Sequence, residues 1–306
     1  MSVLTGSKFK ATYQDTKFYK LTNELESHNR FQYVDGLNID TLKFNPSGQC
    51  SKGGLYFTEL NKIGMWISYG DQTMTYIREV EILDDSLVYV EENKFKADKF
   101  NLHPRVLLKD FEQWNNLEFC KLAVQQNGFA LKYISEEKQT EEICKLAVQK
   151  NGHLLQYVKK QTEEICKFAV LQNIQALQYV KNQTEEICKF AVQKNGFALQ
   201  HVKDQTEEIC KLAVQQNGFA LRHVKEQTEE ICKLAVQQNG HALYHVKKQT
   251  EEICKLAVQQ DCFALQYVKK QTKDLCKLAV RQNGDALHYV NLSWKIYIYF
   301  NYCYLQ

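Results

Sequence analysis

This chain lacks the features that would mark a membrane, nucleic-acid-binding or catalytic protein. No run of 18 apolar residues occurs, and the opening MSVLTGSKFKATYQ has no signal-peptide core. Proline occurs only at Pro46 and Pro104, and the net charge is only +3, far from the basic balance of a nucleic-acid binder. No P-loop, GxSxG, CxxC or HExxH motif is present. We therefore expect no membrane or nucleic-acid partner, no cofactor and no catalysis in the repeats.

Cysteine, in contrast, is abundant and regularly placed. Eight of the 11 cysteines hold one position of a repeat: Cys120, Cys144, Cys166, Cys188, Cys210, Cys232, Cys254 and Cys276. Neighbouring units of a helical array stack about 10 Å apart, whereas a disulfide requires Cα atoms within roughly 7 Å. The column is thus predicted to fill a core in a reducing compartment without cross-linking.

The repeat itself is 22 residues long and reads QTEEICKLAVQQNGFALQYVKK. A degenerate first copy runs from Asn115, two extra residues around Ser135–Glu137 follow it, and eight units reach Val290. The complete copies begin at Gln139, Gln161, Gln183, Gln205, Gln227, Gln249 and Gln271. The period divides the chain into a leader (residues 1–105), an array (106–290) and a tail (291–306) that is either a cap or a degenerate end.

Each unit is predicted to form two short helices. Thr206 is placed to cap the first helix, and Glu207 and Lys211 stand four apart in the favourable order. Asn217-Gly218 predicts a left-handed C-cap. The second helix, FALRHVK, is under two turns and must lean on its neighbours. We therefore expect a mostly α fold, a right-handed α-solenoid of helical hairpins behind a small α+β leader.

A leucine-rich repeat is the alternative architecture, because Ile209 to Asn217 also fits I-x-x-L-x-V-x-x-N. The flanking Glu-Glu and Gln-Gln and the capping pattern favour helices. Ile174 and Cys262 replace the glycine, and a β-branched residue disfavours a left-handed conformation. Asn173 and Asp261 are predicted to adopt that conformation there instead.

Two resemblances cover most of the chain. The units resemble the EEICKLAVQQNG-type repeats of an uncharacterised family expanded in giant DNA viruses of the Mimivirus type. The stretch FYKLTNELESHNRFQYVDGLNIDTLKFNP, followed by GGLYFTE, is similar to the leader domain of ankyrin-repeat proteins of the same viruses. Together they imply a viral repeat protein without an assigned reaction, whose leader is an interchangeable module.

The leader is predicted to contain strands at Phe18-YKLT, Gly54-LYFT, Thr75-YIREVEIL and Leu87-VYV, with a helix near Glu59–Ser68. Asp35-Gly36 and Asp84-Asp85 are predicted to be turns.

Part of the leader, GGLYFTELNKIGMWISYG, also resembles polymerase-type ADP-ribosyltransferase domains. That resemblance implies a nucleotide site with Tyr56 stacked on nicotinamide and Tyr69 as the second aromatic. The family's His-Gly-Ser/Thr motif aligns with Lys20-Leu21-Thr22, so its ribose-binding histidine is missing. The catalytic glutamate has no single match, with Glu79, Glu81 and Glu91 as candidates. Catalysis is therefore not expected.

Two positions vary among otherwise near-identical units. The position after the glycine holds Phe129, His153, Gln175, Phe197, Phe219, His241, Phe263 and Asp285. The position three further on holds Lys132, Gln156, Gln178, Gln200, Arg222, Tyr244, Gln266 and His288. Constant places are expected in the core or caps and varying places at the surface, although drift after duplication explains variation equally. We predict a binding surface at Phe129, Phe197, Phe219, His241, Tyr244 and Phe263.

Two further patterns have plain explanations. His201, His223 and His245 stand where other units have tyrosine, and His241 and His245 have a metal-compatible spacing. Substitution at a half-buried aromatic site accounts for them, so no metal is predicted. The Gln-Gln pairs, such as Gln215-Gln216, are either a peptide-binding surface or solvated helix ends.

Three functions remain as hypotheses. The first is a non-enzymatic interaction scaffold that presents the repeats to a host or viral protein, in the host cytoplasm or the virion. The second is an ADP-ribosyltransferase-like or NAD/ADP-ribose-binding leader with the repeats as a targeting arm. The third is a structural virion component.

Overall fold

The computed structural model describes residues 2–48, 51–69 and 72–303. The chain divides into two compact units, Met1–Lys160 and Gln161–Gln306, each described by itself. The first unit contains the leader with two repeats, and the second contains the other repeats and the tail. The domain boundaries at residues 105 and 290, which follow from the repeat pattern, stay a prediction.

The leader is built on an antiparallel sheet. The strands are β1 Val3–Thr5, β2 Phe18–Thr22, β3 Ser27–His28, β4 Phe31–Gln32, β5 Gly36–Ile39, β6 Leu55–Glu59, β7 Ser68–Tyr69, β8 Gln72–Thr73, β9 Tyr76–Glu81, β10 Leu87–Val90, β11 Phe95–Ala97, β12 Lys99–Leu102 and β13 Val106–Leu107. Along the sheet the order is β1-β10-β11-β6-β2-β9-β12-β5, with β13 beside β9, while β3-β4 and β7-β8 form separate two-stranded sheets.

The four predicted strands are confirmed as β2, β6, β9 and β10, and the predicted helix is the short α2 (Ile63–Trp66). The sequence pattern missed α1 (Gly6–Thr12), whose Phe9 is fully buried in the core of the leader. Phe9 packs with its ring centroid 5.0 Å from Phe18 and 5.2 Å from Phe95. Aromatic residues from one helix and two strands that are distant in sequence thus pack together in the core of the leader.

The repeats form a regular helical array, as predicted. Each unit has an α-helix followed by a six-residue 3₁₀ segment, rather than two α-helices. The α-helices are α3 Leu117–Gln126, α4 Glu141–Lys150, α5 Glu163–Gln172, α6 Glu185–Lys194, α7 Glu207–Gln216, α8 Glu229–Gln238, α9 Glu251–Gln260 and α10 Lys273–Gln282. The 3₁₀ segments are Gly128–Tyr133, Gly152–Tyr157, Ile174–Tyr179, Gly196–His201, Gly218–His223, Gly240–His245, Cys262–Tyr267 and Gly284–Tyr289. The fold is thus a helical solenoid, without the strands of a leucine-rich repeat.

The threonine caps are confirmed. Thr206 has an extended backbone, and its hydroxyl accepts a hydrogen bond of 3.3 Å from the backbone N–H of Ile209. The predicted Glu207–Lys211 pair is also present at 3.1 Å. Lys211 additionally lies 2.9 Å from Glu230 of the next repeat. Such exposed ion pairs contribute little to the free energy of unfolding.

Replacing Thr206 with alanine is expected to lower the free energy of unfolding by about 1 kcal/mol, because the N–H of Ile209 loses its partner. Urea denaturation of the full chain measures this. Thr206→Ser keeps the hydroxyl and serves as the control, with little or no loss, because serine caps a helix at least as well as threonine. Equal losses for serine and alanine would contradict the capping role.

The predicted left-handed C-cap is wrong. Asn217 has φ −152° and ψ 112°, and the side chain accepts from the N–H of Phe219 at 3.0 Å. It therefore caps the start of the 3₁₀ segment instead of ending α7. Asn173 (φ −153°) and Asp261 (φ −149°) are extended as well, so the left-handed conformation predicted there is also wrong. Among the described residues, no repeat glycine has a positive φ.

Close packing explains the repeat glycine. A Cβ atom on Gly218 would lie 2.5 Å from the carbonyl oxygen of Ala235 in the next repeat. The backbone N–H of Gly218 donates to Oε1 of Gln238 at 2.6 Å. The same bond joins Gly196 to Gln216 and Gly240 to Gln260. Glycine thus allows the close approach of neighbouring repeats at this position, and it is not needed for a left-handed backbone conformation.

The first glutamine of each repeat joins the 3₁₀ segment of the preceding repeat to the 3₁₀ segment of its own repeat. The amide of Gln205 donates to the carbonyl oxygens of Leu199 (3.2 Å) and His223 (3.0 Å). Its Oε1 accepts from the backbone N–H of Lys225 at 3.0 Å. We call these residues the inter-repeat glutamines; in the second unit they also include Gln183, Gln227, Gln249 and Gln271. Each satisfies backbone groups that the short 3₁₀ segments leave unpaired.

The cysteine column is buried, as predicted. All eight repeat cysteines are free thiols, and Cys210 is 3% exposed with its Sγ 3.8 Å from Oε1 of Gln205. Burial raises the pKa of Cys210 to about 11, so the thiol stays protonated and unreactive at neutral pH.

The tail forms a helix, α11 (Leu292–Cys303), against the last repeat. The Trp294 indole donates to the carbonyl oxygen of Gln271 at 3.2 Å, and Ile298 is buried. These contacts support the proposal that the tail is a cap. Over the described residues, no helix is both long enough and apolar enough to cross a membrane.

Candidate functional surface and pocket

The residue after the glycine packs edge-on against an aromatic residue of the next repeat. In the second unit the ring centroids are 5.4–6.0 Å apart in the pairs Phe197–His223, Phe219–His245, His241–Tyr267 and Phe263–Tyr289. We call these eight residues the aromatic column. T-shaped pairs at this separation are favourable, so the column is part of the scaffold as well as a surface.

Exposed residues stand beside this column. Arg222 lies over the Phe197 ring, 4.7 Å from its centroid. Tyr244 is 68% exposed, and its ring lies 5.1 Å from His245 and 5.5 Å from Tyr267. Tyr244 is therefore the most prominent aromatic side chain of this surface in the second unit's repeats.

The predicted binding residues differ in accessibility. Phe197, Phe219, His241 and Phe263 are half-buried members of the column. Tyr244 is exposed beside it. Phe129 belongs to the first unit, where it is 43% exposed and packs 6.3 Å from Tyr157. The constant apolar positions are buried, as Ile209, Val214 and Leu221 show. The second varying position is exposed in every repeat except that of Lys132.

The histidines fit aromatic substitution rather than ligation. His201, His223 and His245 are half-buried, and burial lowers the pKa of each. Nε2 of His241 lies 2.9 Å from Oδ2 of Asp261, close enough for an ion pair when protonated but poorly oriented for a hydrogen bond. No group of three metal-ligating side chains occurs among the described residues.

The paired glutamines have different environments. Gln215 is exposed at the end of α7, whereas its neighbour Gln216 accepts the hydrogen bond from Gly196. The second glutamine of the pair therefore holds the repeats together, which the sequence pattern did not reveal.

A pocket opens in the leader where β2 and β6 meet. Its volume is about 90 Å³. The walls are Tyr19, Lys20, Leu21, Thr22, Asn23, Ser27, His28, Tyr56, Phe57, Thr58, Trp66, Met74 and Lys94. We call it the leader pocket. The two motifs on which the ADP-ribosyltransferase resemblance depends, Lys20-Leu21-Thr22 and Tyr56, are thus brought together.

Tyr56 is not an open stacking platform. It is only 6% exposed, and the ammonium groups of Lys94 and Lys96 lie 4.5 Å and 5.0 Å from its ring centroid. The side chain of Tyr69 falls outside what the structure describes. Glu79, Glu81 and Glu91 do not line the pocket.

The family comparison concerns the array. Residues 140–183, 184–228, 206–250, 228–272 and 250–295 match the family described as "Domain of unknown function (DUF4116)". These segments together cover slightly more than half of the chain. No solved structure matches.

Several relatives come from Acanthamoeba polyphaga mimivirus. An uncharacterized protein is 33% identical over 112 residues, 36% of this chain and 81% of the relative. Two proteins named as ankyrin repeat proteins are 32% and 29% identical, over 39% and 35% of this chain. The matched parts span only 60% and 40% of these two relatives. The repeats and these relatives together show that the chain belongs to the DUF4116 family and resembles mimiviral repeat proteins.

Proposed function

We propose that the array is a non-enzymatic scaffold that presents the aromatic column and Tyr244 to a host or viral protein. The observation that carries the proposal is the exposed Tyr244 among His241, His245 and Tyr267. Exposed tyrosines on a rigid, packed support are typical of binding hot spots, since little side-chain entropy is lost on binding. Relatives named as ankyrin repeat proteins support an interaction role.

The experiment uses the full chain as bait in lysate of infected host cells, and the dissociation constant of the captured protein is then measured with purified components. Tyr244→Ser is expected to weaken binding about 30-fold, as for a hot spot of about 2 kcal/mol. Because Tyr244 is 68% exposed, this substitution should leave the fold intact.

The triple substitution of Phe197, Phe219 and Phe263 by serine is expected to abolish binding, after circular dichroism has shown that the array is still folded. Its matched control replaces three exposed glutamines away from the column, Gln193, Gln215 and Gln237, by serine. Binding that survives both Tyr244→Ser and the phenylalanine triple would rule out this surface. A particle-bound chain without a discrete partner would favour the structural virion hypothesis.

A further inference from the structure

The leader pocket is small, and polar side chains form part of its lining. A volume of about 90 Å³ holds about three waters, at the roughly 30 Å³ that each occupies in the liquid. Such a space admits a compact group, such as a phosphate or a carboxylate on a short stem, and not a whole dinucleotide.

The charge in this pocket is positive. Lys20, Lys94 and His28 line it, and none of its described lining residues is acidic. Nζ of Lys94 also forms an ion pair with the carboxylate of Glu91, which lies 3.8 Å away and outside the pocket lining. The pKa of His28 is lowered to about 4, first by burial and then by Lys20 and Lys94. The imidazole is therefore neutral, and the two ammonium groups carry the charge.

One residue of the pocket lining, Thr22, carries a buried hydroxyl without a hydrogen-bond partner among the described residues. Thr22 is 2% exposed and lines the pocket, and its Oγ1 has no hydrogen-bond partner within the described parts of the leader and array. An unpaired buried hydroxyl is costly and rare in folded proteins, so it requires a compensating group. A ligand oxygen at the centre of the pocket would be such a group.

We propose that the leader pocket binds a small oxyanion of the phosphate or carboxylate class. The Thr22 hydroxyl donates to it, and Lys20 and Lys94 balance its charge. The terminal phosphate of a nucleotide and free phosphate share this chemistry, whereas both phosphates of ADP-ribose are internal and offer no such terminal group. The site is independent of the scaffold role of the array.

The test is calorimetry on the full chain with inorganic phosphate, acetate and ADP as separate probes. The natural chain is expected to bind at least one, and the tightest probe identifies the source. Thr22→Val and Lys94→Met are each expected to weaken that binding about tenfold, since each removes a hydrogen bond or charge. Lys109→Met, at an exposed lysine outside the pocket, is the control and should bind unchanged.

A second measurement uses only the natural chain, so it does not depend on the variants being folded. A bound oxyanion stabilises the imidazolium, so saturating probe should raise the pKa of His28 in an NMR titration of the natural chain. The proposal is overturned if no probe binds. It is equally overturned if both variants fold and bind as tightly as the natural chain, or if binding leaves the His28 titration unchanged.

Discussion

Replacing Gln205 with leucine is expected to lower the free energy of unfolding by about 3 kcal/mol. The substitution keeps the apolar stem but removes the hydrogen bonds to Leu199, His223 and Lys225. Each unpaired, partly buried backbone group costs about 1–3 kcal/mol, and partial access to water keeps the total near the lower end. Because Gln205 joins consecutive repeats, the loss falls on the interfaces that make the array cooperative.

Urea unfolding followed by far-ultraviolet circular dichroism measures this effect. The matched control is Gln215→Leu in the same repeat, an exposed glutamine that is expected to change stability by less than about 0.5 kcal/mol. A second transition in the Gln205 variant would show that the array has uncoupled at this interface. Similar small losses in both variants would mean that the inter-repeat glutamines do not hold the units together.

The array was predictable because its information is local and repeated. Period, threonine caps, buried cysteines and the Glu207–Lys211 pair all follow from spacing within one unit. The role of Gln205 did not, because its partners lie 6 residues before it and 18 and 20 residues after it, and a polar residue between helices is ordinarily part of a solvated linker. The fixed offset between Lys211 and Glu230 is the kind of signal that could have revealed contacts between units.

The C-cap error has a specific physical cause. Asn-Gly is compatible both with a left-handed helix end and with an asparagine cap on a following 3₁₀ segment. Asp261 at the same place is a good N-cap residue and favours the second alternative. The glycine is set by its distance from the next repeat, which no pattern within one unit contains.

The leader was predictable only in part. Its strands follow from β-branched and aromatic runs, whereas the order of strands in the sheet depends on pairings between distant segments. Tyr56 and Lys20-Leu21-Thr22 were singled out by resemblance, and the structure places them in one pocket. His28 and Lys94 come from other segments, without a motif of their own, and no sequence signal identified them.

Two repeats have another residue in place of the glycine, and they predict a pair of substitutions that compensate for each other. Where Ile174 replaces the glycine, the residue 20 positions on is Lys194 instead of glutamine. Where Cys262 does so, the corresponding Gln282 turns away and donates to the carbonyl oxygen of Gln259 at 2.9 Å. A side chain at the glycine position thus conflicts with the glutamine amide, which would lie about 3.0 Å from a Cβ on Gly218.

Gly218→Ile is accordingly expected to lower the free energy of unfolding by about 3 kcal/mol, since it overpacks the interface and breaks the bond to Gln238. Adding Gln238→Lys, which recreates the Ile174–Lys194 combination, should recover at least about 1 kcal/mol. The control adds Gln260→Lys, the partner of Gly240, and should not recover any stability. Urea unfolding of the natural chain, of the single variants Gly218→Ile and Gln238→Lys, and of their double variant gives the coupling energy directly. A coupling near zero for Gly218 and Gln238 would show that the lysine in the natural exception does not compensate for the isoleucine.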